Sequence, residues 1–301
     1  MSLHVVLAGS SGFLGTHLRE ELGRRGHRVT RLVRRPARAS DESTWDPETG
    51  TLEGAVVHDA DVVVNLAGSP TIGNPHSKKW ARALHDSRVL TTSLLAETIA
   101  AAPSPPAFLA GNAVGWYGDH GPAELTEEAD SRGQTLMTQV CRNWQGATAP
   151  AADAGARVVV LRTAPVQHRS HPPLKQQRLL FTAGLGGRIG DGRQHVPMIS
   201  LRDWVGAMAF LVEHGDVSGP VNLCCVRTPS NREFTDALAA AVGRPAFARV
   251  PGPLVKVAAG PISPELLASV NTVPAALLRL GYQFADPDVE AVMESALEQS
   301  S

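Results

Sequence analysis

The sequence predicts an α/β fold, a doubly wound parallel sheet followed by a smaller C-terminal domain, on three observations. Short apolar runs alternate with stretches of helical periodicity through the first half of the chain. The first run breaks into glycines at Gly9, Gly12 and Gly15 just where a helical pattern begins. Beyond Arg162 the chain turns polar and rich in proline and glycine. Strands alternating with helices imply right-handed crossovers and a mostly parallel sheet. The expected boundary puts residues 1–166 in the larger domain and 167–301 in the smaller region, with some of its segments returning to the first.

Taken in order, Val5 to Ala8 is a strand and the pattern after Gly15 is a helix closed by Gly26. His27 to Val33 reads as the second strand. Trp45-Asp46-Pro47 with Gly50 and Gly54 looks like a turn or short hairpin. Asp61 to Gly68 is a continuous apolar run ended by small residues, the pattern of a strand covered on both faces. From His76 to Ala102 apolar residues return at helical spacing until Pro103, Pro105 and Pro106. A strand begins at Ala107–Ala110 and runs on to Gly118; a helix is expected from Gln134 to Ala154 and a strand from Arg157 to Leu161. Residues 167–176 read as a surface excursion. The glycine-dense stretch 184–193 reads as a loop or short strand framing a pocket. A second phosphate loop is rejected there, because no apolar strand leads in and no helix follows. Leu201 to His214 is a helix, Gly219 to Leu223 a strand, and Ser230 to Val242 a helix with Glu233 placed for a capping box. The tail alternates short helices with proline turns.

Composition narrows the function classes. The 301 residues, 43% hydrophobic and 19% charged, suit a globular protein with a substantial core. A formal net charge of −1 and no interleaving of basic and aromatic residues argue against nucleic acid or a membrane surface as partner. Three cysteines, Cys141, Cys224 and Cys225, provide neither a disulfide framework nor metal-ligand spacing. No window has the apolar length to span a bilayer, and no signal-peptide pattern precedes the first strand, so a cytoplasmic protein with a small-molecule substrate is expected.

The glycine pattern carries the chemistry. The first glycine permits a tight turn, the second lets backbone approach a phosphate, and the third lets helix pack closely on strand. A diphosphate can then rest on free N–H groups at the positive end of the helix. An ordinary glycine-rich turn is the alternative, and the strand before and helix after argue for dinucleotide binding. The expected contacts are Gly9, Ser10, Ser11, Gly12, Phe13 and Leu14. At the end of the second strand, where NAD-specific proteins place an acid for the ribose 2′-OH, this chain reads Arg31-Leu32-Val33-Arg34-Arg35 with no acid before Asp41. Guanidinium binds a 2′-phosphate that a carboxylate would repel. NADP is therefore the expected cofactor, with Arg34 the first choice as its ligand and Arg35 the second.

With these segments in hand, the chain resembles an extended short-chain dehydrogenase/reductase of the epimerase-like branch. Gly9 to Gly15 has that family's longer glycine spacing. Asn65-Leu66-Ala67-Gly68, Ser87-Arg88, Ala113 to Gly118, Cys141-Arg142-Asn143-Trp144, Arg162-Thr163 and Gly184 to Gln194 match it further on. The resemblance implies a Rossmann domain, a C-terminal substrate domain and a nicotinamide cofactor in the cleft between them. It also implies contacts from Leu66, Ala67, Gly68, Arg88 and Val166 to that cofactor, with core packing the alternative for Leu66, Ala67 and Val166. A homodimer paired through helices beside the central strands is implied as well.

One departure bears on activity. The wider family uses a Tyr-x-x-x-Lys pair for proton exchange during hydride transfer. The two tyrosines here, Tyr117 and Tyr282, are followed four residues on by Gly121 and Asp286. Aligning by Cys141 and Trp144 puts Leu136 and Val140 in the two positions, and Asn112 where a serine is usual. Asn112 and Tyr117 are the remaining catalytic candidates, with packing under the loop beside Trp116 the favoured alternative for Tyr117. The expectation is an NADP-dependent oxidoreductase or epimerase-like enzyme acting on a small hydroxyl- or carbonyl-bearing compound, sugar nucleotides among them. The alternative is a silent NADP(H)-binding regulator.

Overall fold

The computed structural model describes residues 2–71 and 73–298. Eight strands form the main sheet: β1 (His4–Ala8), β2 (Arg28–Val33), β3 (Glu42–Asp46), β4 (Thr51–Leu52), β5 (Val62–Asn65), β6 (Ala107–Ala113), β7 (Val158–Thr163) and β8 (Gly219–Leu223). Their order is β8-β7-β6-β5-β1-β2-β3-β4, parallel except for the antiparallel β3–β4 pair. From β1 the sheet grows one way through β2 and the other way through β5. The switch point, where ligands bind in open α/β sheets, therefore lies at the carboxyl ends of β1 and β5.

All five residues of β1 are buried, and the pleat sends them alternately to two cores. Val5 and Leu7 join a cluster with Leu18 and Leu22 of α1 (Phe13–Arg24). Val6 and Ala8 join a cluster on the opposite face with Leu95, Ala96 and Ile99 of α2 (Lys78–Ala100). This two-sided burial is why Val5–Ala8 and Val62–Val64 are apolar without alternation.

Three expected elements take a different form. The helix expected over 134–154 is two: α3 (Leu136–Gly146) and a short helix Ala149–Asp153, whose early proline, Pro150, suits a helix start rather than an interior. The strand from Ala107 stops at Ala113 and passes into a 3₁₀ turn, Val114–Trp116. The expected surface excursion contains the start of a helix, Leu174–Thr182, whose Leu174 and Phe181 are buried.

The C-terminal half is shared between two units. Helix α4 (Leu201–Glu213) and β8 return to the main core, where Trp204, Met208 and Val221 are buried against β1 and β5 residues. A second core holds Phe181, Met198, Phe234, Leu238, Val289 and Met293. Two of these come from α5 (Asn231–Ala241), which opens on a complete capping box between Ser230 and Glu233. The glycine-dense stretch forms a short strand, Gly187–Ile189, parallel to Ala248–Val250.

Candidate active site

The glycine loop is built by close approach. Gly9 has φ +81°, and a Cβ there would stand 2.6 Å from the Leu66 carbonyl carbon, so the turns after β1 and β5 touch at the switch point. A Cβ on Gly15 would come within 2.2 Å of the Gly9 oxygen, which leaves glycine alone able to seat α1 on this turn. Gly12 differs. It is the N-cap of α1, donates its N–H to Gly9 O at 3.0 Å, and an added Cβ would meet protein only at that same oxygen, 3.3 Å away. No side chain caps α1 and its first turn has no acid. Backbone donors there are left for an anion, and the cradle fits a dinucleotide diphosphate. Ser10 is buried beneath the loop, Ser11 is exposed, and Phe13 stacks on His171 of the C-terminal half, ring centroids 4.0 Å apart.

At the end of β2 the three arginines separate. Arg31 pairs with Asp41 at 2.9 Å and with Glu42 at 3.0 Å. Arg35 grips Glu42 through both terminal nitrogens at 2.7 and 2.8 Å, and this bond holds the Glu42 carboxyl down at about 2. Arg34 is exposed and, among the described residues, is in no ion pair.

The turn after β5 is fixed from below. Asn65 is fully buried; its amide donates to Thr92 at 2.9 Å and its Oδ1 accepts from Ala67 N at 3.0 Å. Trp144 of α3 donates to the same Thr92 hydroxyl at 2.9 Å. Arg88 lies under Gly68, whose Cβ would be 3.3 Å from the guanidinium carbon, and 5.2 Å over the Trp144 ring. It is only 7% exposed, donates to Leu84 O, and among the described residues has no carboxylate partner. Burial pushes its pKa down, yet a guanidinium keeps its charge in proteins. Val166 is buried in the main core, the packing alternative for that residue.

The two catalytic candidates are both bonded to protein atoms. Asn112 is buried, its amide donating to Cys141 O at 3.0 Å and its Oδ1 accepting from Ala113 N at 2.7 Å, so both ends serve the backbone. Tyr117 is fully buried. Its hydroxyl donates to Asn222 at 2.7 Å and accepts from Arg162 at 3.0 Å. Burial pushes the phenol up, opposite to what proton exchange near neutrality needs. Leu136 and Val140 do stand on α3, Val140 buried on the same helix as Cys141. The Cys141 thiol is pushed up to about 12 by burial, which makes it inert.

Comparison with known proteins accords with this geometry. Residues 5–224 match the model of the NAD dependent epimerase/dehydratase family, and residues 250–296 a domain of unknown function, DUF1731. The chain belongs to the NAD-dependent epimerase/dehydratase family. Among its relatives in this family, the epimerase family protein ML0860 of Mycobacterium leprae is 38% identical over 281 residues, covering 93% of this chain and 91% of that one. Human epimerase family protein SDR39U1 is 32% identical over 298 residues, 97% and 99% of the two chains. A crystal structure of human SDR39U1 (isoform 2) with NADPH superposes with a TM-score of 0.86 at 30% identity, covering 98% and 99% of the two chains. A nucleoside-diphosphate sugar epimerase from Corynebacterium glutamicum gives 0.80 at 33% identity over 99% of this chain and 58% of that one.

Two features of this family member were not visible in its sequence. Arg162, 2% exposed, stacks 3.5 Å over Trp116 and donates to Tyr117, the Glu127 carbonyl and Gln145. Glu127 in turn accepts from the backbone of Asn222 and Ala276, which ties the C-terminal tail to the sheet. The second is Glu265, whose Oε1 accepts from Met137 N at 3.0 Å in the first turn of α3. No local pattern marks either: an arginine ending a strand and a glutamate in a five-residue helix look like surface residues.

Proposed function

We propose that this protein binds NADP(H) along the carboxyl edge of β1, β2 and β5 and passes hydride between the nicotinamide and a small hydroxyl- or carbonyl-bearing compound, as an oxidoreductase or epimerase. The observation that carries the reading is a pair of features at the carboxyl edge of the sheet: the first turn of α1, which no side chain caps, and the exposed Arg34, which among the described residues is in no ion pair. The first suits a diphosphate and the second a 2′-phosphate. NADPH in the human relative's crystal structure supports the same cofactor. When bound, the cofactor supplies hydride chemistry. The chain's part is to seat the diphosphate on the Phe13 and Leu14 N–H groups, hold the turn Leu66–Gly68 against it, and place Arg34 and then Arg35 within reach of the 2′-phosphate.

Titration of NADPH and NADH by fluorescence tests the reading. NADPH is expected to bind at least about tenfold more tightly, the effect of one charge-assisted contact, and equal affinities would overturn it. The regulator alternative draws on one observation, that Asn112 and Tyr117 are committed to protein atoms. A broad panel of carbonyl compounds and sugar nucleotides giving no NADPH oxidation would favour it. A cytoplasmic location and a homodimer formed through helices beside the central strands belong to the same proposal; light scattering in solution checks the dimer.

A further inference from the structure

We propose that His168 and His171 of the C-terminal half, with His17 of α1, flank the diphosphate cradle as an imidazole clasp that gains protons as the dinucleotide binds, so that it is held more tightly in mild acid. The inference rests on the cofactor reading above.

Two distant stretches of chain build the clasp. Phe13 is the first residue of α1, and its N–H is one of the donors that no side chain caps. Its ring is surrounded by imidazoles. His17, one helical turn on, meets it edge to face with centroids 5.1 Å apart. His171 stacks on it at 4.0 Å with the planes 7° apart, and His168 lies 5.2 Å away and 6.3 Å from His17. An imidazole from the C-terminal half thus stands one phenylalanine side chain from the cradle. The rings are open to solvent: His171 is exposed, and His17 and His168 are half-buried. Their nitrogens are little used. His168 Nδ1 bonds Ser170 Oγ at 2.9 Å and His17 Nδ1 lies 3.9 Å from Glu20. Among the described residues His171 bonds through its backbone alone, to His168 O and Lys175 N. No group of three His, Cys, Asp or Glu side chains among them is placed to hold a metal ion.

Without an anion in the cradle, charge on these rings is resisted. They stand near the positive end of α1. Burial first, and then neighbouring cations, hold His168 and His171 below the ordinary imidazole range; the cations are His17, His171 and Arg169 for His168, and Lys175 and His17 for His171. The two negative charges of a diphosphate favour the protonated rings, so their pKa values rise when the dinucleotide binds. By linkage, affinity then climbs as pH falls through the values of the bound form and levels off below those of the free form. The protons come from solvent and return to it on release. The other charged groups on the elements packed here stay the same in the variants below. On α1 they are Arg19, Glu20 and Glu21, the last paired with Arg24 and Arg25. On α4, Glu213 pairs with Arg25 and His27, Arg202 with Asp286, and Asp203 accepts from Ala285 N and Asp286 N. Arg178 lies on Leu174–Thr182, and Glu290 and Glu294 on Val289–Leu297, whose Ala296 O accepts from Arg169 N.

Titration calorimetry with NADP+, which withstands acid, tests the clasp between pH 5.5 and 8. Wild type is compared with the double variant His168→Gln, His171→Gln and with His171→Arg. The 2′-phosphate also titrates near pH 6, and comparing the proteins with one another removes its share. From pH 8 to pH 5.5 wild type should gain about threefold to tenfold in affinity over the double variant, the size of one or two charge interactions across ~9 Å of partly screened solvent. It should also take up more protons per NADP+ bound, read from titrations in two buffers of different ionisation heat. The fixed charge of His171→Arg should carry tighter binding up to pH 8 and flatten the profile. Should the double variant not fold, His171→Gln, a change at an exposed ring, carries the comparison. Parallel profiles with equal proton uptake, or an arginine variant that binds no more tightly than wild type at pH 8, overturn the inference and leave cofactor binding standing. Wild type binding neither NADP+ nor NADPH at any pH would instead overturn the reading on which the inference rests.

Discussion

At the glycine-loop end, among the described residues, no side chain caps the first turn of α1 and the exposed guanidinium of Arg34 is in no ion pair. At the α3 end the catalytic candidates are bonded within the protein: Asn112 to Cys141 O and Ala113 N, and Tyr117 to Asn222 and Arg162, although the Arg162 Nε beside them is buried without a partner among the described residues. Buried polar groups in folded proteins find partners, so Asn112 and Tyr117 are held by the fold, while the α1 donors and the exposed Arg34 stay open to water or to an anion. The glycine pattern of the family is thus retained, while Asn112 and Tyr117 are bonded to protein atoms.

The sharpest way to break this contrast is Gly12→Val. The added side chain meets little protein but stands where the diphosphate would rest, so NADP(H) binding should disappear, by more than about a hundredfold, while thermal unfolding stays near wild type. Near-normal binding by titration would make the loop architectural as well. Arg34→Ala comes next: loss of one charge-assisted phosphate contact, worth about 1.5–3 kcal/mol, should remove most of a ten- to hundredfold preference for NADPH over NADH. Arg35→Ala should do less, because that side chain already holds Glu42.

Tyr117→Phe probes the other end. It removes the donor to Asn222 and the acceptor for Arg162, and should lower stability by about 1–2 kcal/mol with cofactor affinity unchanged. A loss of turnover at unchanged stability would return Tyr117 to the chemistry. The smallest effect concerns the imidazoles packed on Phe13. Burial lowers the pKa of His168 and His171 below the ordinary 6.5, so below about that pH the unfolded chain binds more protons than the folded one. Their contribution to stability is full above pH 6.5 and declines as pH falls through the folded values. Both rings are partly solvated, so His168→Gln with His171→Gln should flatten the acid side of the stability profile by well under about 1 kcal/mol, under ~4 °C in Tm. An identical acid slope in the double variant would show that these rings do not contribute.

The stretch from Val5 to Leu18 was legible because its constraints are local. A strand buried on both faces, a turn that only glycine can make and a helix start follow one another within a few residues, and each rests on backbone sterics and burial. The missing acid at the end of β2 was legible for the same reason. The sequence ranked Arg34 before Arg35, and the partner that sets them apart, Glu42, comes from β3. Pro150 in the α3 region was a visible break that helical periodicity on both sides masked.

By itself, then, the sequence determined the sheet type and the glycine cradle, properties of residues within hydrogen-bonding reach along one strand–turn–helix unit. Only the tertiary structure decided which polar groups are left over for chemistry. Tyr117 meets Asn222 across 105 residues of chain, and Glu265 meets Met137 across 128. Whether a hydroxyl or carboxylate is consumed or left unsatisfied depends on which distant segments the fold brings alongside it. The short-range periodicity of apolar residues carries no record of those meetings.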